Sequence, residues 1–140
     1  MRILYLSHGH PAFSAGGAER AAYSLFEAMA ASGGIQTVFA GRAGNGGKGG
    51  IQAFRGQPDN LLVSFPPVDY FDLRTNNRAA LRKVVETLLE TYQPDIVHAH
   101  HVCHIGIDVF EFIRAFNPAI RIVFTVHEYM LICNNFGQMV

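Results

Sequence analysis

Two stretches decide the fold of this chain: RILYLS at residues 2–7 and SAGGAER at residues 14–20. The first is a short apolar run typical of a buried strand, and the second leads into an alanine-rich stretch with helical spacing. The helix is predicted over 17–31, because the SGG of residues 32–34 stops it, and a second strand follows over 35–40. This spacing predicts a βαβ unit with parallel strands.

The same alternation continues along the chain. Strands are predicted over 51–55, 61–65, 96–101 and 120–126, and helices over 77–92 and 105–116. The first helix is predicted to bury Ala21, Leu25, Ala28 and Met29, and the second Leu81, Val84, Val85, Leu88 and Leu89. We therefore expect an α/β, Rossmann-like three-layer domain with a mainly parallel sheet. Because the tail 130–140 shows no finished pattern, we expect residues 1–140 to be a single domain truncated at its C-terminal end.

The composition narrows the class of protein. The 140 residues include 11 basic and 11 acidic side chains, so the formal charge is zero and electrostatic capture of nucleic acid is disfavoured. No segment approaches the roughly 18 apolar residues of a membrane span, and the first apolar stretch is too short for a signal peptide. Cys103 and Cys133 do not form a C-x-x-C pair. We expect a cytoplasmic protein whose cysteines are thiols.

Gly16 and Gly17 lie between the first strand and the first helix. Glycines there let bare backbone approach a ligand, and the free N–H groups at the positive end of the helix dipole favour an anion. The turn therefore predicts a phosphate site, although a tight connection with no ligand has the same pattern. The chain lacks the motifs G-x-G-x-x-G, G-x-x-x-x-G-K-[ST] and G-x-S-x-G, which disfavours a dinucleotide cofactor, a P-loop nucleotidase and an α/β-hydrolase.

His127 stands at the end of the predicted strand 120–126, followed by Glu128 and Tyr129. Ligands of open α/β sheets are held outside the carboxyl ends of the strands, where the glycine turn is also expected. An imidazole there can donate or accept a hydrogen bond near neutral pH. Two interpretations stay open for His127: contact with a ligand, or closure of the hydrogen bonds at a strand end.

A histidine cluster lies at the end of the strand that is predicted to begin at residue 96. It consists of His98, His100, His101 and His104, with Cys103 among them. Imidazole and thiolate are zinc ligands, but on a strand His98 and His100 share one face while His101 points to the other. We therefore expect no metal, and instead a cluster at the mouth of a crevice that binds hydroxyl groups of a polar ligand. Histidines that are satisfied within the fold are the alternative.

Two further segments carry weaker signals. The run GRAGNGGKGG at residues 41–50 is interpreted as a flexible surface loop, with a phosphate-binding nest as the alternative. The charged face of the helix over 77–92 is interpreted as solvated, and weak contact with an anionic membrane is its alternative.

Four motifs together resemble one family. They are RILYL at 2–6, GGAER at 16–20, PDIVHAH at 94–100 and TVHEY at 125–129. In this order and at these separations the chain resembles the N-terminal, acceptor-side half of retaining GT-B glycosyltransferases, in the glycosyltransferase group 1 or glycosyltransferase 4-like family. Many members build bacterial cell envelopes.

The resemblance implies transfer of a sugar from a nucleotide-sugar donor to a carbohydrate or lipid-linked acceptor, with retention and without a bound metal, in cell-envelope or exopolysaccharide synthesis. It implies that the backbone of Gly16, Gly17 and Ala18 faces the donor diphosphate and that His127 contacts the transferred sugar. The acceptor or crevice residues are then His98, His100, His101, Glu128 and Tyr129. A cytoplasmic location at the inner face of the membrane is the matching expectation.

The family's second, nucleotide-binding domain has no counterpart within residues 1–140. We therefore expect this chain by itself to bind the donor weakly and to be inactive. Two rival hypotheses are a stand-alone, non-catalytic module that binds a carbohydrate or phosphorylated ligand, and a histidine-based metal protein.

Overall fold

The computed structural model describes residues 1–44 and 50–129, and shows a six-stranded sheet in the order β3-β4-β2-β1-β7-β8. Its strands are β1 (Arg2–Ser7), β2 (Gln36–Arg42), β3 (Ile51–Phe54), β4 (Gln57–Val63), β7 (Ile96–His100) and β8 (Arg121–Thr125). A two-stranded sheet pairs β5 (Val68–Asp69) with β6 (Arg74–Thr75). The helices are α1 (Gly17–Ala31), α2 (Arg78–Tyr92) and α3 (Asp108–Phe116).

Strand direction confirms the predicted mainly parallel sheet. β1 pairs in parallel with β2 and β7, and β4 and β8 extend the parallel sheet on either side. β3 is the exception, because it forms an antiparallel hairpin with β4. Left-handed glycines follow α1 at Gly33 and Gly34, with φ of 72° and 74°, so the helix stops where the sequence predicted.

The helices complete a three-layer, Rossmann-like domain. α1 covers one face of the sheet, where Phe26 packs with Tyr5 and Phe39. α2 and α3 cover the other face, and the larger core there contains the predicted α2 residues Leu81, Val85, Leu88 and Leu89.

The predicted face of α1 was wrong in part. Ala21 and Ala28 are exposed, and the helix instead buries Glu19, Ala22 and Phe26. The cause is Phe26, whose large ring packs against Tyr5 and Phe39. This contact sets the rotation of α1 about its own axis, because the alanines on its different faces are equally hydrophobic and favour no face.

Parallel strands bring the ends of β1, β7 and β8 to one edge of the sheet, which we call the carboxyl edge. The predicted loop 41–50 is described only in part: Gly41 and Arg42 end β2, and 45–49 lie outside the described residues. The tail 130–140, with Cys133, also lies outside them. Among the described helices, none is both long and apolar enough to cross a bilayer.

Candidate functional site

Histidines collect at the carboxyl edge. His8 directly follows β1, His101 directly follows β7, and His127 lies two residues after β8. Since these strands are neighbours in the sheet, the three histidines come from adjacent positions along the edge. The glycine turn and His127 thus lie at the same edge, as expected from their places after parallel strands.

One group, the histidine row, consists of His98, His100 and His127. The rings of His98 and His100 lie 4.2 Å apart between centroids, and His100 Nδ1 lies 3.0 Å from His127 Nε2. His98 Nε2 is 2.8 Å from the hydroxyl oxygen of Thr125 on β8. The predicted shared face of His98 and His100 is therefore confirmed, and the row leads from the sheet surface to exposed His127.

Burial keeps the inner histidines of the row neutral. Burial, followed by the neighbouring His98 and His127, lowers the pKa of His100 to about 4. The pKa of His98 is also lowered, first by burial and then by His127. Because a neutral imidazole has one donor and one acceptor nitrogen, His100 and His127 can share a single N–H···N hydrogen bond. His100 Nε2 is buried with no partner among the described residues.

A second group, the edge cluster, consists of His8, Glu19, His101, Cys103 and Glu128. The rings of His8 and His101 lie 4.4 Å apart, His8 Nε2 is 3.2 Å from Glu19 Oε1, and His101 Nε2 is 2.7 Å from Glu128 Oε1. His101 has a φ of 57°, a left-handed conformation uncommon for residues other than glycine. The chain turns there, and His101 leaves the histidine row to meet His8.

Burial also has the largest effect on the pKa values of the two histidines in this cluster. It lowers the pKa of His8 to about 4 against the opposing attraction of Glu19, and it lowers the pKa of His101. Burial disfavours ionisation of Glu19, but the Ser14 hydroxyl, its own backbone N–H and the nearby His8 together hold its pKa below the usual value. Glu19 is thus a carboxylate that is only 4% exposed, at the N-terminus of α1.

The glycine turn is shaped by Glu19. A Cβ at Gly16 would collide with the Glu19 carboxylate, and one at Gly9 would lie 2.7 Å from Glu19 Oε1. Gly17 has no atom within 4 Å of its Cβ position. A side chain at position 16 would therefore force the buried Glu19 carboxylate to move, whatever ligand the turn binds.

Because of this packing, we expect substitutions at the neighbouring positions 16 and 17 to change the free energy of unfolding in opposite directions. Gly16→Ala should lower the free energy of unfolding by about 1–3 kcal/mol, because it overpacks a buried carboxylate. Gly17→Ala, in the first helical turn with open space around it, should raise stability by up to about 1 kcal/mol. Urea unfolding of the two variants measures both. In the double variant Gly16→Ala/Glu19→Ala the Gly16→Ala penalty should shrink, and an undiminished penalty would exclude the collision as its cause.

A cavity of about 430 Å³ opens beside the edge cluster. It is lined by His8, Gly9, His10, Phe13, Ser14, Glu19, Arg42, Gly44 and His104. The predicted diphosphate residues Gly16, Gly17 and Ala18 stand next to it at the start of α1 but are not among its lining residues. A larger cavity, about 530 Å³, lies at the opposite edge between Arg2, Gln36 and Tyr92, far from the histidines.

Sequence reasoning missed His8 and His10. His10 is almost fully buried, with Nε2 3.0 Å from Asn60 Oδ1 and Nδ1 accepting a hydrogen bond from the Ala12 N–H, so it fixes the loop after β1. The signal was the polar run SHGH directly after a buried strand. Of the remaining predicted residues, His104 Nδ1 lies 2.6 Å from the Tyr70 hydroxyl, and Tyr129 is exposed.

The polar groups that line the open cavity at the carboxyl edge are three imidazoles, one carboxylate, one hydroxyl group and one guanidinium, from His8, His10, His104, Glu19, Ser14 and Arg42. Such groups donate and accept hydrogen bonds at fixed positions, which is the chemistry that binds a polyhydroxylated ligand. The cavity lies at the end of parallel strands, where α/β proteins bind ligands.

Comparison with known proteins identifies the family of the chain. The model of the family described as Glycosyltransferase Family 4 matches residues 15–137, which include the glycine turn, the histidine row and most of the edge cluster. No curated protein and no solved structure matches the chain. Since the family match spans most of the sequence, the chain belongs to glycosyltransferase family 4 and is of the glycosyltransferase class.

Proposed function

We propose that this chain is the N-terminal, acceptor-side half of a retaining glycosyltransferase that uses a nucleotide-sugar donor. The observation that carries the proposal is the open cavity at the carboxyl edge, bounded by neutral histidines and by the start of α1. Its polar groups suit sugar hydroxyls. The resemblance extends the proposal to a carbohydrate or lipid-linked acceptor of bacterial cell-envelope or exopolysaccharide synthesis, reached from the cytoplasm at the inner membrane face.

In this proposal His127 contacts the transferred sugar. It is exposed at the edge, and its position is set by the contact between its Nε2 and His100 Nδ1. A fixed imidazole beside the reacting carbon can orient a hydroxyl group and stabilise developing charge. Because the row behind it is neutral, His127 can do this without a permanently charged neighbour within the row.

The donor diphosphate is proposed to approach the backbone of Gly16, Gly17 and Ala18. The first N–H groups of α1 have no partner within the helix, and the helix dipole favours an anion there. Glu19 opposes this, because its buried carboxylate already occupies the same helix end. Arg42, which lines the adjoining cavity, is one described cation near this site. We propose that the second domain of the enzyme supplies the further cationic groups that the diphosphate needs. The transfer itself is proposed to need no metal on the diphosphate.

We predict that residues 1–140 alone bind UDP-glucose or GDP-mannose with a dissociation constant weaker than about 1 mM, equivalent to less than about 4 kcal/mol. Calorimetric titration with each donor tests this, and release of nucleoside diphosphate tests turnover. The matched sample is the polypeptide encoded when the reading frame is followed past Val140, assayed with the same donors. Turnover by residues 1–140 alone, or a natural stop codon after Val140, would contradict the proposal and favour a stand-alone binding module.

A further inference from the structure

Three potential metal ligands meet within the edge cluster. One ring nitrogen of His8, one of His101 and the sulfur of Cys103 all lie within 4.8 Å of one another. His8 comes from the end of β1, and His101 and Cys103 come from the loop after the adjacent β7. The rings of His8 and His101 are 4.4 Å apart. Two adjacent strand ends therefore supply all three groups.

A carboxylate stands behind each of the two histidines. Glu19 Oε1 lies 3.2 Å from His8 Nε2, and Glu128 Oε1 lies 2.7 Å from His101 Nε2. This leaves the Nδ1 atom of each ring for another partner. His8 Nδ1 is buried with no partner among the described residues, while His101 Nδ1 receives only a long contact, 3.4 Å, from the Cys103 N–H. Metal-bound histidines commonly donate the second ring nitrogen to a carboxylate. Here both carboxylates lie within contact distance of a ring nitrogen, although Glu128 Oε1 makes no regular hydrogen bond with the described residues, so a modest rotation of its side chain is needed to complete this arrangement.

The donor set matches one class of ion. Two imidazoles and a thiolate suit a borderline-soft divalent cation such as Zn²⁺, and they disfavour Mg²⁺ and Ca²⁺, which prefer oxygen ligands. We propose that His8, His101 and Cys103 bind one zinc-class divalent ion, held between the ends of β1 and β7. The ligand atoms of a tetrahedral zinc stand about 3.5 Å apart, so small side-chain rotations are enough to close the triad.

Of the three proposed ligands, His8 lines the 430 Å³ cavity, whereas His101 and Cys103 line a small neighbouring pocket together with Glu128. Binding converts the Cys103 thiol to a thiolate and releases its proton to solvent. The ion would offset the negative charge of Glu19 and Glu128 and would join two loops of the site. This inference does not depend on sugar transfer. It departs from the expectation of no metal, which was argued from His98, His100 and His101 without His8.

The test uses chain 1–140 without a histidine tag, freed of metal with a chelator and titrated with Co²⁺. One ion per chain should bind, with tetrahedral visible bands and a thiolate-to-cobalt charge-transfer band. Zn²⁺ should displace the cobalt. Cys103→Ser should abolish the charge-transfer band, while Cys133→Ser, the matched change at the other cysteine, should retain it. Absence of the band in the unaltered chain, or its persistence in Cys103→Ser, would overturn the proposal.

A second variant tests the carboxylates. Glu128→Gln should weaken Co²⁺ binding about 10- to 100-fold, since loss of a carboxylate behind a ligating histidine has effects of this size. Glu111→Gln, on the exposed side of α3, should leave the affinity unchanged. Circular dichroism confirms that both variants are folded. Equal affinity in the two variants would show that Glu128 does not orient His101 toward an ion and would overturn this part of the site.

Discussion

Asp108→Ala should lower the free energy of unfolding by about 3 kcal/mol, the size of effect expected when a buried charged acceptor of several hydrogen bonds is lost. The Asp108 side chain is fully buried in the first turn of α3. It accepts a hydrogen bond from Arg74 at 2.9 Å, another from Arg78, and one from the Thr75 backbone N–H at 3.3 Å. These three donors come from β6 and the start of α2, so Asp108 links three elements.

The expected decrease in unfolding free energy is at the lower end of the range for breaking a buried ion pair, because the side chains of Arg74 and Arg78 are 56% and 43% exposed. In the variant their charges regain water, whereas the buried Thr75 N–H is left without its acceptor. The β5–β6 hairpin also loses a contact, and it carries Tyr70, whose hydroxyl lies 2.6 Å from His104 Nδ1. Loss of Asp108 should therefore loosen one wall of the site as well.

Urea unfolding compares this variant with Glu111→Ala. Glu111 is on the same helix and pairs with the same Arg78 at 2.8 Å, but it is 61% exposed. Its removal should cost less than about 1 kcal/mol, because exposed ion pairs contribute little. Similar losses in the two variants would show that burial of Asp108 does not set its contribution to stability.

Helices and strands were predictable where several local sequence signals, such as glycines at an end and apolar residues at regular spacing, occur together. The bounds of α1 match the prediction because two glycines follow it and a glycine turn precedes it. The buried face of α2 was predictable because Leu81, Val85, Leu88 and Leu89 repeat at helical spacing. The hairpin of β5 and β6 was not, since strands of two residues carry no periodicity.

The candidate site was predictable only as separate pieces. The shared face of His98 and His100 follows from strand alternation, and the place of His127 follows from its position after a parallel strand. The approach of His8 to His101 depends on β1 and β7 being neighbours, and that strand order is a tertiary property. The collision between Gly16 and Glu19 was likewise hidden, because sequence rules place an acidic residue of the first helical turn near solvent.

His127→Ala, in the two-domain enzyme of the proposed function, should lower kcat about 100-fold, a typical loss when one positioned hydrogen-bonding or acid–base group is removed. His127 is exposed, and its removal costs the buried His100 ring one hydrogen-bond contact, so the variant of chain 1–140 should stay folded and lose no more than about 1–3 kcal/mol of unfolding free energy. This separates a chemical effect from a structural one. Release of nucleoside diphosphate at saturating donor and acceptor measures kcat.

The split between kcat and KM then decides the role of His127. A group that acts on the transferred sugar mainly in the transition state lowers kcat and leaves the donor KM nearly unchanged, whereas a group that only helps donor binding raises KM. Arg82→Ala, on the exposed face of α2 with its ion pair to Glu86, is the control and should alter neither constant. If His127→Ala keeps the original kcat, His127 does not contact the reacting sugar, and the histidine row serves only to complete the hydrogen bonds of β7 and β8.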